Sequence, residues 1–160
     1  MYLNEDMNYE VMLRLDYDSA LQFCQSNSTI QKICQSPQFW QDKIPYDENY
    51  IFIKQYTNNI IHDLENKRLA GLHIEHFPSI EYMLPKRILS LIQNDTIVNN
   101  TNNMISIYNS NNQWIVQYNE KHPYYQFNQI YPVTLNEVTN ILMNAYYYSY
   151  NNDIELNFTD

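Results

Sequence analysis

Glycine occurs once in this chain of 160 residues, at Gly71, and that scarcity removes whole classes of architecture. A G-x-G-x-x-G dinucleotide turn, a P-loop and a G-x-S-x-G nucleophile elbow each need several glycines, because the backbone must turn tightly beside a ligand or strand end. Nucleotide-cradling and elbow-type hydrolase enzymes are therefore excluded. Nine Lys/Arg against eighteen Asp/Glu leave a net charge of −9. That charge repels phosphate backbones at long range and argues against nucleic acid as a partner. Tyrosine supplies 16 of the 160 residues, so the core must lean on tyrosine rings whose hydroxyls reach partners or water. The length suits one ordinary domain, or a small helical module joined to a second small unit.

The first forty-four residues read as three or four short helices. Leu3, Met7, Val11 and Leu15 recur every four residues and form one helical stripe. Asp16-Tyr17-Asp18 breaks it, with Asp16 or Asp18 a natural N-cap for a helix carrying Leu21 and Cys24. Asn27-Ser28 restarts the chain ahead of Ile30, Ile33 and Cys34. Ser36-Pro37 is a start signal, a capping hydroxyl followed by proline in the first turn, and the helix it opens carries Phe39, Trp40 and Ile44 before Pro45.

A longer helix is expected from Tyr50 to about Ala70, closed by Lys67, Arg68 and then Gly71. Phe77 to Pro85 reads as a turn region, followed by a short helix that buries Ile88, Leu91 and Ile92. Asn94–Asn103 reads as a polar, flexible loop. The apolar period then changes to two. Met104–Tyr108 and Gln113–Tyr118, split by Asn109-Ser110-Asn111-Asn112, form a hairpin signal, and Tyr124–Tyr131 suggests a third strand. Thr134-Leu135-Asn136-Glu137 is a capping box for a helix with Val138, Ile141, Leu142 and Ala145, expected to dissolve at Tyr146-Tyr147-Tyr148. Strands and helices without βαβ alternation indicate an α+β fold: a helical module over 1–44, then a helical connector and small antiparallel sheet with a C-terminal helix over 45–160.

Cys24 and Cys34 sit at apolar-periodic positions and read as small buried thiols of a reducing compartment, with a disulfide between them the lesser alternative. The acidic start has no basic or apolar leader pattern, and no apolar run is long enough to cross a bilayer, so a cytoplasmic, non-secreted protein without membrane contact is expected. His62, His73 and His76 lack the cysteine pair or carboxylates that would complete a metal site, and surface or cap roles are expected for them, with His73–His76 in a loop or helix end. No catalytic constellation and no cofactor are implied. The C-terminal tyrosines, Tyr124, Tyr125, Tyr146, Tyr147, Tyr148 and Tyr150, read as core and rim ahead of an aromatic recognition surface.

The opening segment resembles an F-box. That pattern runs from Leu-Pro-x-Glu-Ile through an acidic break and a Leu-x-x-Cys/Val-Asn/Cys stretch to Asp/Ser-Pro-x-Leu-Trp. Here it reads Leu3-Asn4-Glu5-Asp6-Met7, then Val11, Leu15 and Asp16, then Leu21, Phe23, Cys24 and Asn27. Ile30 and Ile33 follow, and Ser36-Pro37-Gln38-Phe39-Trp40 closes the match over about a quarter of the chain. Asn4 stands for the proline, Asp6 for the glutamate and Ile30 for the usual bulky aromatic. Segments of this look, in Asn- and Tyr-rich chains, are similar to those of large DNA viruses. The resemblance implies a non-enzymatic adaptor: the helical module binds a Skp-type subunit of a Skp–cullin–F-box ubiquitin ligase, and the remainder captures a target protein. Leu3, Met7, Val11, Leu15, Leu21, Ile30, Phe39 and Trp40 would then divide between module core and partner face, with Trp40 as anchor. The alternative is a structural or protein-interaction component, viral or otherwise, with no link to ubiquitin ligation.

Overall fold

The computed structural model describes residues 5–75, 80–95, 103–121, 126–152 and 155–159. The chain is mixed α+β, with seven α-helices and a five-stranded antiparallel sheet among the described residues, and it packs as two compact units, Met1–Phe52 and Ile53–Asp160.

The first unit holds α1 (Glu5–Arg14), α2 (Tyr17–Phe23), α3 (Ser28–Cys34) and α4 (Pro37–Lys43), followed by a 3-10 turn at Ile44–Tyr46. Local chemistry sets each start. Asp16 caps α2 by accepting from the Ser19 amide at 2.7 Å, and that bond holds its carboxyl below the ordinary range. Asn27 caps α3 through the Ile30 amide at 3.0 Å. Ser36 occupies the N-cap of α4 without a side-chain capping bond, so Pro37, with its φ already helical, is the start signal that operates. The core of the unit is Met12, Leu13, Ala20, Ile30, Phe39, Trp40 and Ile44.

Two readings of this segment change. The inward side of α1 is Tyr9, Met12 and Leu13, not the Met7–Val11 stripe. Tyr9 escaped the apolar count because its ring is amphipathic: the ring meets Phe39 edge-on at 5.4 Å while the hydroxyl donates to Asp42. Burial, then that carboxylate, raise its phenol above the ordinary value. The cysteines are not free thiols: Cys24 and Cys34 form a disulfide across a Cα–Cα distance of 5.8 Å. The chain reverses at Ser26-Asn27, and the last residue of α3 returns beside the C-cap of α2.

α5 (Tyr50–Glu65) belongs to the second unit from Ile53 on and buries Ile53, Thr57, Ile61 and Leu64 at helical spacing. Its end differs from the expectation built on Gly71. Lys67 takes the left-handed conformation, φ 59°, the Arg68 amide bonds the Asp63 carbonyl at 2.9 Å and the Lys67 amide bonds that of Leu64 at 3.4 Å. This is a Schellman closure with lysine where glycine is usual. Gly71 instead opens β1 (Gly71–Glu75), where an added Cβ would lie 3.3 Å from the Ile107 carbonyl oxygen. His73 therefore lies in a strand, not in a loop or helix end, and His76 lies outside the described residues.

A 3-10 turn at Ile80–Tyr82 leads into α6 (Lys86–Asp95). Ile88 and Ile92 of α6 are buried, but Leu91 is exposed, because it falls a quarter-turn off their line. Most of the loop expected over Asn94–Asn103, residues 96–102, lies outside the described residues. The hairpin follows as expected, with β2 (Asn103–Ser110) and β3 (Gln113–Lys121) joined by Asn111-Asn112 at φ 53° and 64°. Both central residues at positive φ make a type I′ turn, whose twist matches the strands. The third strand is β4 (Gln126–Val133); Tyr124 and Tyr125 lie outside the described residues.

The Thr134–Glu137 box is formed in both directions: Thr134 Oγ1 accepts from the Glu137 amide at 3.2 Å and a Glu137 carboxylate oxygen from the Thr134 amide at 3.0 Å. It opens α7 (Leu135–Asn152). The helix does not dissolve at the tyrosines, since Tyr147 and Tyr148 are buried and extend its apolar side past Ala145. β5 (Glu155–Thr159), which periodicity did not indicate, pairs with β1, giving the order β4-β3-β2-β1-β5. One sheet face carries Leu72, Ile107, Val116 and Tyr131 in register, beside Ile74, Ile105 and Tyr118, all buried. α7 contacts the sheet at β3 and β5.

Candidate functional site

The residues singled out from the opening segment separate into two groups. Ile30, Phe39 and Trp40 are core. Trp40, expected as the anchor, is only 6% exposed; its ring lies 5.0 Å from Phe39 and 5.5 Å from Tyr17, and its indole N–H donates to the Cys34 carbonyl at 2.8 Å. Apolar area and polar handle are both already engaged within the unit, so Trp40 orients the helices and offers a partner little. Met7, Val11 and Leu21 point the other way, at 47%, 45% and 40% exposure. Leu15 is half-buried, and Leu3 lies outside the described residues. Phe23, at an apolar position of α2, joins the exposed group at 45%.

This division follows from helix geometry. Met7 and Val11 are one turn apart on α1, and Tyr9, Met12 and Leu13 occupy the opposite side at the same 3.6-residue period. α2 buries Ala20 and turns Leu21 and Phe23 outward. Each of these four side chains keeps about half its area for a partner, about 1 kcal/mol apiece on full burial. A handful of such anchors is what helix-face recognition uses.

Lys43 is the residue of this unit that pattern reading missed. It is almost wholly buried, and its ammonium donates to the carbonyls of Met12 at 3.1 Å, Leu13 at 2.9 Å and Leu15. The first two are among the last four carbonyls of α1, which lack a partner in the helical ladder; that of Met12 also accepts from the Leu15 amide at 3.4 Å. A lysine in the last turn of α4 would ordinarily be assigned to its own helix dipole. Burial lowers its pKa, and Asp47 and Asp16 oppose the shift. The side chain thus fixes where α1 ends, and with it the orientation of the Met7–Val11 side.

Elsewhere the chemistry is structural. His73 Nδ1 lies 2.7 Å from Ser106 Oγ on the neighbouring strand, which joins two strands across the sheet. Among the described residues no group of three or more His, Cys, Asp or Glu could hold a metal ion, and no helix is long and apolar enough to cross a membrane. Arg87 forms a two-point pair with Glu137 at 2.8 and 2.9 Å. Tyr147 and Tyr148 are core, and Tyr146, half-buried 5.8 Å from Tyr56, has its phenol pushed up by burial to about 12. Comparison with family models, curated proteins and solved structures returns no match to this chain.

Proposed function

We propose that this chain is a non-enzymatic protein-interaction adaptor whose N-terminal helical unit binds a Skp-type subunit of a Skp–cullin–F-box ubiquitin ligase, and whose C-terminal unit engages a target protein. The observation that carries the reading is the outward placement of Met7, Val11, Leu21 and Phe23 on two short helices. The same unit closes its own core with Phe39, Trp40, Met12 and Ile44. Apolar side chains left outside a completed core favour a partner over further self-packing. The order of residues from Leu3 to Trp40, which resembles an F-box, names the class of partner.

Calorimetric titration of the full chain with a purified Skp-type adaptor tests this. A complex at tens of micromolar or tighter is expected, weakened at least tenfold by Val11→Asp or Leu21→Asp. Absence of both heat and co-elution overturns the reading. A complex that both substitutions leave unchanged overturns the assigned surface.

A further inference from the structure

We propose that the Cys24–Cys34 bond is a reversible thiol–disulfide clasp that sets the order of α2 and α3, so that this part of the helical unit responds to dithiol reductants. Both cysteines are half-buried, on helix ends, and neither belongs to the buried core that holds Met12, Phe39 and Trp40. Accessible disulfides are the labile ones; those sealed in a core resist exchange.

The helices that the clasp joins bury little, and Trp40 links to each of them, through the Tyr17 ring of α2 and the Cys34 carbonyl of α3. Each is seven residues long, and their buried residues are Ala20 in α2 and Ile30 in α3. Helices so short are not stable by themselves in water, and their N-caps, Asp16 and Asn27, act only within each helix. The bond spans a sequence separation of 10 residues. Closing a loop of that size shifts the balance of ordered over disordered chain by about 100-fold. The clasp is also coupled to the core, because the Trp40 indole donates to the carbonyl of Cys34 itself.

In the opening step a thiolate of the dithiol attacks one sulfur of the pair, breaking the Cys24–Cys34 bond and forming a mixed disulfide. The second thiol of the reductant then displaces it. Two electrons pass from the reductant, which leaves as its own disulfide, and Cys24 and Cys34 each end as a thiol carrying a proton. The consequence for a partner, through Leu21 and Phe23 on α2, rests on the adaptor reading; the clasp itself does not.

The test uses the full chain in native buffer with dithiothreitol as reductant, read by thiol alkylation, amide hydrogen exchange and fluorescence. Trp114→Phe leaves Trp40 as the remaining tryptophan. Expected are alkylation of both cysteines without denaturant, up to about 100-fold faster exchange across α2 and α3, and a shift in Trp40 emission, all reversed by oxidised dithiothreitol. Cys24→Ser/Cys34→Ser should show the open-state exchange and no response to reductant. A bond that stays closed until the protein is denatured overturns the proposal, as does reduction that leaves exchange and emission unchanged. Titration of both redox forms with a Skp-type adaptor separates the two readings. Faster exchange with no binding in either form removes the adaptor and leaves the clasp, whereas equal binding with unchanged exchange does the reverse.

Discussion

Replacing Lys43 by methionine tests how the end of α1 is held. The substitution keeps most of the side-chain volume and removes all three ammonium hydrogen bonds, to the carbonyls of Met12, Leu13 and Leu15. Leaving a buried carbonyl unpaired costs about 1–3 kcal/mol; that is the fate of the Leu13 carbonyl, while the Met12 carbonyl keeps the Leu15 amide at 3.4 Å. Against that, the variant no longer desolvates an ammonium, the same penalty that lowers the pKa of Lys43. That gain is limited by Asp47 and Asp16, which already offset the penalty in the folded chain, leaving a net loss of about 1–2 kcal/mol. Urea unfolding followed by Trp40 fluorescence in a Trp114→Phe background isolates the helical unit, since each unit contains one of the two tryptophans. The pH dependence supplies an independent sign. With its pKa lowered from 10.5, the folded state binds fewer protons than the unfolded chain just below that pH, so this group's contribution rises with pH there. The gap between wild type and Lys43→Met should therefore widen from neutral pH towards 10.5. A loss below about 0.5 kcal/mol, the size expected of an ordinary surface substitution, would refute the capping role.

Three further perturbations bear on the second unit. Lys67→Gly and Lys67→Ala both remove the ammonium bond to the Asn109 carbonyl, but only glycine relieves the left-handed backbone that closes α5, so the glycine variant should be the more stable by about 1 kcal/mol, read from the denaturation midpoint; two variants of equal stability contradict that conformation. Asn111→Val places a β-branched residue at φ 53° in the hairpin turn and should cost about 1–3 kcal/mol, with faster amide exchange along β2 and β3. Glu137→Gln weakens both the pair with Arg87 and the reciprocal cap with Thr134. The Arg87 hydrogen bond, then the Thr134 amide, hold this carboxyl below its ordinary value of 4.5. Its contribution, about 1 kcal/mol, is thus complete above 4.5 and lost as pH falls through the folded-state value. The gap between wild type and Glu137→Gln should close in acid; a gap independent of pH contradicts the assignment.

What could be read in the sequence was what local chemistry determines. Asp16, one of the two caps offered for α2, the restart at Asn27, the Thr134–Glu137 box and the break within Asn109–Asn112, which narrows to the asparagines at 111 and 112, are all set by bonds or turns within three residues. The α+β character follows, because a helical period gives way to an alternating one near Met104. Features set by distant partners were not legible. β1 and β5 are five-residue strands whose pairing spans most of the second unit, and neither alternates strongly enough to stand out. α7 outran its expected end because Tyr147 and Tyr148 serve as core residues.

In the helical unit the difficulty was of another kind. α1 carries two plausible stripes, Met7–Val11 and Tyr9–Met12–Leu13, and composition does not choose between them. Packing against Phe39 and the Tyr9–Asp42 hydrogen bond does. That choice turns the first stripe outward, where a partner can reach it. Trp40 shows the converse: its size marked it as an anchor, yet its indole nitrogen was committed to Cys34.

Amide hydrogen exchange of the full chain with and without a Skp-type adaptor tests the central claim most directly. Slowed exchange concentrated on α1 around Met7 and Val11, and on α2 around Leu21 and Phe23, is the expected result. Protection confined to the five-stranded sheet, or no protection at an adaptor concentration of about 100 μM, where even a weak complex would be populated, would contradict it.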